Sequence, residues 1–89
     1  MTSHRTAAFR EQFARLPGRI QRQSRKAYRL WESNPQHPSL DFKLVGRHTP
    51  SYSVRIAIGW RALGYKHGDT VIWFWIGTHA EYDKLLRHL

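Results

Sequence analysis

The segment Val71-Ile-Trp-Phe-Trp-Ile-Gly-Thr-His-Ala-Glu-Tyr82 decides the fold. Its first six residues are apolar, β-branched or aromatic, which suits a short central strand buried on both faces. Gly77 ends the run. Thr78 then stands three residues before Glu81, ahead of Leu85 and Leu86, in the spacing of a capping box. The Thr hydroxyl accepts from the backbone N–H of the Glu, and the Glu carboxylate reaches back to the cap N–H. The segment therefore predicts a strand that runs straight into a short closing helix, with Thr78 as N-cap and His79 as first helical residue. His79 and Tyr82, three apart, share a face of that helix. The free N–H groups and positive dipole end at its start favour an anion.

Upstream, Lys66-His67-Gly68-Asp69 predicts a hairpin turn, preceded by a strand through Arg61 to Tyr65. In Tyr52 to Ile58, the residues Tyr52, Val54, Ile56 and Ile58 alternate with Ser53, Arg55 and Ala57, the period-2 pattern of a half-buried strand. Arg55 faces away from the valine and isoleucines. Arg61 has the same parity, so without a bulge at Gly59 the two guanidinium groups stand on one face. Ser39 to Val45 is a further expected strand, and Gly46 to Ser51 a loop. Nearer the N-terminus, Gly18 to Glu32 reads as an amphipathic helix with Ile20, Ala27, Leu30 and Trp31 on one face and Arg19, Arg22, Lys26 and Arg29 beside them. Asn34-Pro35 and His37-Pro38 stop it, because the residue before a proline is pushed out of the helical region. Phe9, Phe13 and Leu16 recur at helical spacing until Pro17-Gly18. Thr2 to Ala8 reads as a short edge strand or a disordered arm.

The expected architecture is α+β: two N-terminal helices packed on a small twisted antiparallel sheet, with a short C-terminal helix, in one domain spanning 1–89. With 89 residues, 13% of them aromatic, one modest core is within reach. No stretch approaches the roughly 20 apolar residues of a membrane span, and no apolar run follows the basic residues at the start. The cytoplasm is the expected compartment. Zero cysteines removes disulfides, thiolate chemistry and Cys-ligated zinc, so a partner is expected to help stabilise so small a chain. The six histidines show no i, i+4 pair and no HExxH, which argues against a metal, and no nucleotide-binding glycine motif points to a cofactor.

The formal charge of +9 points to a polyanionic partner. Cleaving RNA through its 2′-hydroxyl needs a proton acceptor, a proton donor for the leaving 5′-oxygen, and cations around phosphorus. Arg61, His79 and Tyr82 are the candidate catalytic residues, with His79 and Tyr82 for proton transfer and base stacking. Lys43 and Arg55, with Arg22, Lys26 and Arg29 on the basic helix, are the candidate phosphate contacts. Each has a plainer reading: Glu81 and Tyr82 as cap and packing, Arg55 and Arg61 as solvated positions paired with Asp41 or Asp69, and the helix stripe as a solvated or protein-contacting face.

Three segments together resemble a known family: Asn34-Pro-Gln-His-Pro-Ser-Leu-Asp-Phe-Lys-Leu44, Tyr52-Ser-Val-Arg-Ile-Ala-Ile-Gly-Trp-Arg-Ala-Leu63, and Trp73-Phe-Trp-Ile-Gly-Thr-His-Ala-Glu-Tyr82. With the helix pair ahead of them, they look like the RelE/ParE superfamily of bacterial type II toxins. The resemblance implies a cognate antitoxin that neutralises the chain. In ribonuclease members it implies an arginine at the scissile phosphate, which maps onto Arg61, and a C-terminal His or Tyr, which maps onto His79 and Tyr82. The upstream Lys, His or Glu of other members has Lys43 and Asp41 as nearest matches. Two functions are compatible with it: cleavage of mRNA on the ribosome without metal, or ParE-like poisoning of DNA gyrase. A non-toxic antitoxin-binding relic is the third.

Overall fold

The computed structural model of the chain describes residues 1–46 and 50–89. Its elements are β1 (Thr2–Arg5), α1 (Ala7–Ala14), α2 (Gly18–Ser33), β2 (Lys43–Leu44), β3 (Ser51–Ala57), β4 (Trp60–His67), β5 (Thr70–Thr78) and α3 (His79–Leu86), with one 3-10 turn at Pro38–Leu40. The strands form a single sheet in the order β1-β5-β4-β3-β2. β2 to β5 meander antiparallel, as their alternation predicts. β1 instead lies parallel to β5, with Thr2 opposite Thr70 and Arg5 opposite Trp73, so the sheet is mixed rather than purely antiparallel.

The polar side chains of β1 carry no apolar alternation to announce a strand. Main-chain pairing places it, extended by Thr2 N–H to the Asp69 carbonyl and Thr6 N–H to the Trp73 carbonyl, each 3.0 Å. Thr6 then caps α1, its hydroxyl accepting from Phe9 N–H at 3.1 Å. Ser39 to Val45, expected as one strand, is broken by the Pro38–Leu40 turn and by Asp41 at φ 44°. The His37 ring accepts from Ser39 N–H, Leu40 is pulled into the core, and only Lys43 and Leu44 pair with β3. The loop expected over Gly46 to Ser51 lies partly outside the described residues.

Both long helices cover one face of the sheet. Phe9, Ile20 and Trp31 meet Val54, Ile56, Ala62, Val71, Trp73 and Ile76 in the core. Gly64 faces that core, where a Cβ would come within 2.7 Å of Val71 Cγ1 and 2.8 Å of Trp73 Cε3. β5 is central as expected, but its pairing with β4 shifts between Leu63 and Gly64, leaving Phe74 as the unpaired residue of a bulge. Phe74 and Trp75 are only half-buried, so β5 is not sealed on both faces. Ile58, expected to join Val54 and Ile56, sits instead in the tight turn between β3 and β4 and is 96% exposed. Between α1, α2 and the sheet a cavity of about 260 Å³ remains, lined by Phe9, Phe13, Tyr28, Trp31 and Trp73 and rimmed by Arg5, Arg25 and Arg29.

Candidate active site

The sheet face turned away from α1 and α2 carries the candidate residues, and α3 folds back against β4 and β5 at one end of it. Arg61, on β4, lies opposite Arg55 of β3 and Gly77 of β5. Arg55 and Arg61 are thus direct cross-strand neighbours on one face, even though the register shifts just after Arg55. Their environments differ sharply. Arg55 is exposed, whereas Arg61 is 3% exposed and tethered.

The Arg61 guanidinium donates through Nε to Ser53 Oγ at 2.7 Å, and through Nη2 to the Asp41 carbonyl at 3.0 Å and the Asp41 carboxylate at 3.2 Å. The left-handed backbone at Asp41 presents both its acceptors to the same arginine. Asp41 also meets Lys43 Nζ at 3.2 Å. Hydrogen bonding to Lys43 first, then the charges of Lys43 and Arg61, hold the Asp41 carboxyl below its usual range against the opposing effect of desolvation. The Asp41 pairing weighed for the strand arginines therefore occurs at Arg61, but in a buried setting rather than a solvated one.

On its other side the Arg61 guanidinium lies over the Tyr82 ring, 5.2 Å from its centroid. Tyr82 is 4% exposed and meets the His79 ring edge-on at 5.4 Å. The capping box forms as its spacing predicts, with Glu81 N–H donating to Thr78 Oγ1 at 3.3 Å and Thr78 N–H to the Glu81 carboxylate at 3.1 Å. That engagement holds Glu81 below the usual carboxylate range, the Thr78 hydroxyl contributing most and its backbone N–H next. His79 N–H donates to the Gly59 carbonyl at 2.9 Å, pinning the start of α3 to the β3–β4 turn. The His79 side chain is 52% exposed, and its Nδ1 lies 3.2 Å from Asp83 Oδ2. A carboxylate at one ring nitrogen orients the imidazole and leaves Nε2 for a substrate.

Lys43, Arg61, Tyr82 and His79 are thereby linked in one line of contacts, with Arg55 beside it. Arg22, Lys26 and Arg29 are exposed on α2, which packs on the opposite face of the sheet, and they do not join this line. Lys26 and Arg55 share only a groove at the sheet edge, between α2 and the end of β3. Ser53 and Asp83 were not singled out from the sequence. Ser53 shares the parity of Arg55, and Asp83 stands four residues after His79 in a helix, so both carried a spacing signal.

Known structures resemble the fold over most of the chain. A chain of the RelB-RelE antitoxin-toxin complex from Methanococcus jannaschii superposes with TM-score 0.71 at 18% identity, covering 91% of this chain and 95% of that one. YafQ from E. coli gives TM-score 0.72 at 10% identity, over 90% and 94% of the two chains. The isolated E. coli RelE toxin gives 0.66 at 15% identity, over 99% and 98%. At such identities the likeness is one of fold, a three-helix, five-stranded α+β toxin fold. No curated protein matches the chain. The family description "ParE-like toxin domain" matches residues 18–84, well over half of the sequence, and the chain belongs to that family of the RelE/ParE toxin superfamily.

Proposed function

We propose that the protein is the toxin of a type II toxin–antitoxin pair and an endoribonuclease that cleaves mRNA on the ribosome. The observation that carries this reading is the half-exposed imidazole of His79, held by Asp83 beside Tyr82 and Arg61. In the proposed reaction the 2′-oxygen attacks phosphorus as its proton passes to His79 Nε2. The P–O5′ bond breaks, and the 5′-oxygen takes a proton from water, leaving a 2′,3′-cyclic phosphate, while the buried Tyr82 packs His79 against Arg61. Lys43 and Arg55, both exposed, meet the phosphates. Arg61, held by Ser53 and Asp41, adds fixed positive potential from beneath and keeps the Tyr82 ring in place. No step needs a metal or cofactor.

The proposed partner in the resting state is a cognate antitoxin, as RelE of the Methanococcus jannaschii complex has RelB. An acidic, amphipathic antitoxin segment suits the helical layer, where Arg5, Arg25 and Arg29 surround an apolar cavity. The cytoplasm, as the compartment of ribosomes and mRNA, goes with this proposal. Among the described residues no helix is long and apolar enough to cross a membrane.

A second reading, poisoning of DNA gyrase without chemistry, is favoured by the ParE-like family match and by the burial of Arg61. Primer extension on mRNA in programmed ribosomes separates the two. Cuts made by the parent and absent with a folded His79→Ala variant support the ribonuclease. Intact mRNA together with inhibited gyrase supercoiling selects the second.

A further inference from the structure

The sheet face that carries Arg61 continues beyond it into an aromatic surface that the proposed chemistry does not use. Arg61, Leu63 and Tyr65 alternate along β4 on that face, which places Tyr65 about 13 Å from Arg61 along the strand. Leu63 is fully buried, whereas Tyr65 is 37% exposed. The β5 bulge brings Phe74 against it, the two rings stacked at 4.2 Å between centroids and 18° between planes. The same face bears Lys43 and Arg55, both exposed.

A stacked aromatic pair whose tyrosine is partly exposed, on a sheet face that also carries Lys43 and Arg55, combines the two elements that bind single-stranded nucleic acid: a π surface for a base and charge for the backbone. An apolar protein contact would make no use of the flat stacking, and a membrane would find no continuous apolar surface here. Resting on the ribonuclease reading, we propose that Tyr65, backed by Phe74, is a nucleobase-binding subsite that stacks an unpaired base of the RNA strand whose scissile phosphate lies at His79. Tyr65 is then a positioning residue. It fixes the register of the RNA strand by a base held four residues along β4 from Arg61, and because every base has a π face it selects for single-strandedness more than for sequence.

The test compares a short single-stranded oligouridylate with an abasic oligonucleotide of equal length and charge, binding each to the full chain by fluorescence anisotropy. The parent is expected to favour the base-bearing strand about tenfold, in line with the stacking of one base. Tyr65→Leu should lose that preference while holding the abasic strand as the parent does, and Tyr65→Phe should keep it. Circular dichroism confirms that each variant is folded. If Tyr65→Leu discriminates as the parent does, the subsite is wrong even where mRNA cleavage stands. If the parent favours neither strand, the subsite is also wrong. Loss of cleavage in His79→Ala, measured separately, decides the ribonuclease reading itself.

Discussion

Arg61 concentrates the conflict between stability and chemistry in one side chain. A buried guanidinium is tolerable only because Ser53, Asp41 and the Tyr82 ring share it. Ser53→Ala strands the Nε–H donor and should cost about 1.5–3 kcal/mol in urea unfolding. The double variant Ser53→Ala/Arg61→Met should recover part of that loss, because it removes donor and acceptor together. Asp41 follows a matching acid dependence. Its folded-state carboxyl lies below its ordinary value of 3.8, so its stabilisation is present above that pH and is lost as the pH falls through the lowered value. Strand parity made the outward direction of Arg61 legible in the sequence, and the candidate pairing with Asp41 was visible as well. Its burial was not, because that depends on α3 bringing Tyr82 beneath the guanidinium and on the left-handed Asp41 that closes the Pro38–Leu40 turn.

At the scale of elements, α3 shows how much a local code can determine. The Thr78–Glu81 reciprocal cap was readable from spacing alone because it involves only neighbours in the chain. Thr78→Ala should destabilise the fold by about 1 kcal/mol near neutral pH. Glu81 has its folded carboxyl lowered from 4.5 chiefly by the Thr78 hydroxyl, so the difference between parent and variant should shrink as the pH falls below 4.5. Urea titrations at both pH values check the magnitude and the sign. The Ser39 to Val45 segment shows the reverse. Its composition suits a strand, yet Pro38 starts a 3-10 turn and the core takes Leu40, contacts that no period-2 count contains. Gly64 belongs with these tertiary effects. Gly64→Ala would drive a methyl into Val71 and Trp73 and should cost about 1–3 kcal/mol, read as a lowered Tm.

Across the whole molecule, the charge of +9 is divided between two layers. The helical layer carries Arg22, Lys26 and Arg29, and the open sheet face carries Lys43 and Arg55. The two groups make opposite predictions for the salt dependence of RNA association. Lys43→Gln/Arg55→Gln should lower the slope of log K against log salt by about 1.4, whereas Arg22→Gln/Lys26→Gln/Arg29→Gln should barely change it. Composition revealed the charge but not this partition, since a helix stripe looks the same in sequence whichever side of a sheet it covers. The mixed sheet has a further consequence, for the order in which the molecule is made. β1 leaves the ribosome well before β5, the strand it pairs with among the described residues, so Thr2 waits for Thr70. The helices and the strands β2 to β4 must all be synthesised before the sheet closes at that edge, and this long-range closure should set a slow step in folding. During translation the nascent chain carries its basic helices without the finished sheet, so the arrangement that would act on RNA comes into being only once β5 and α3 have been made.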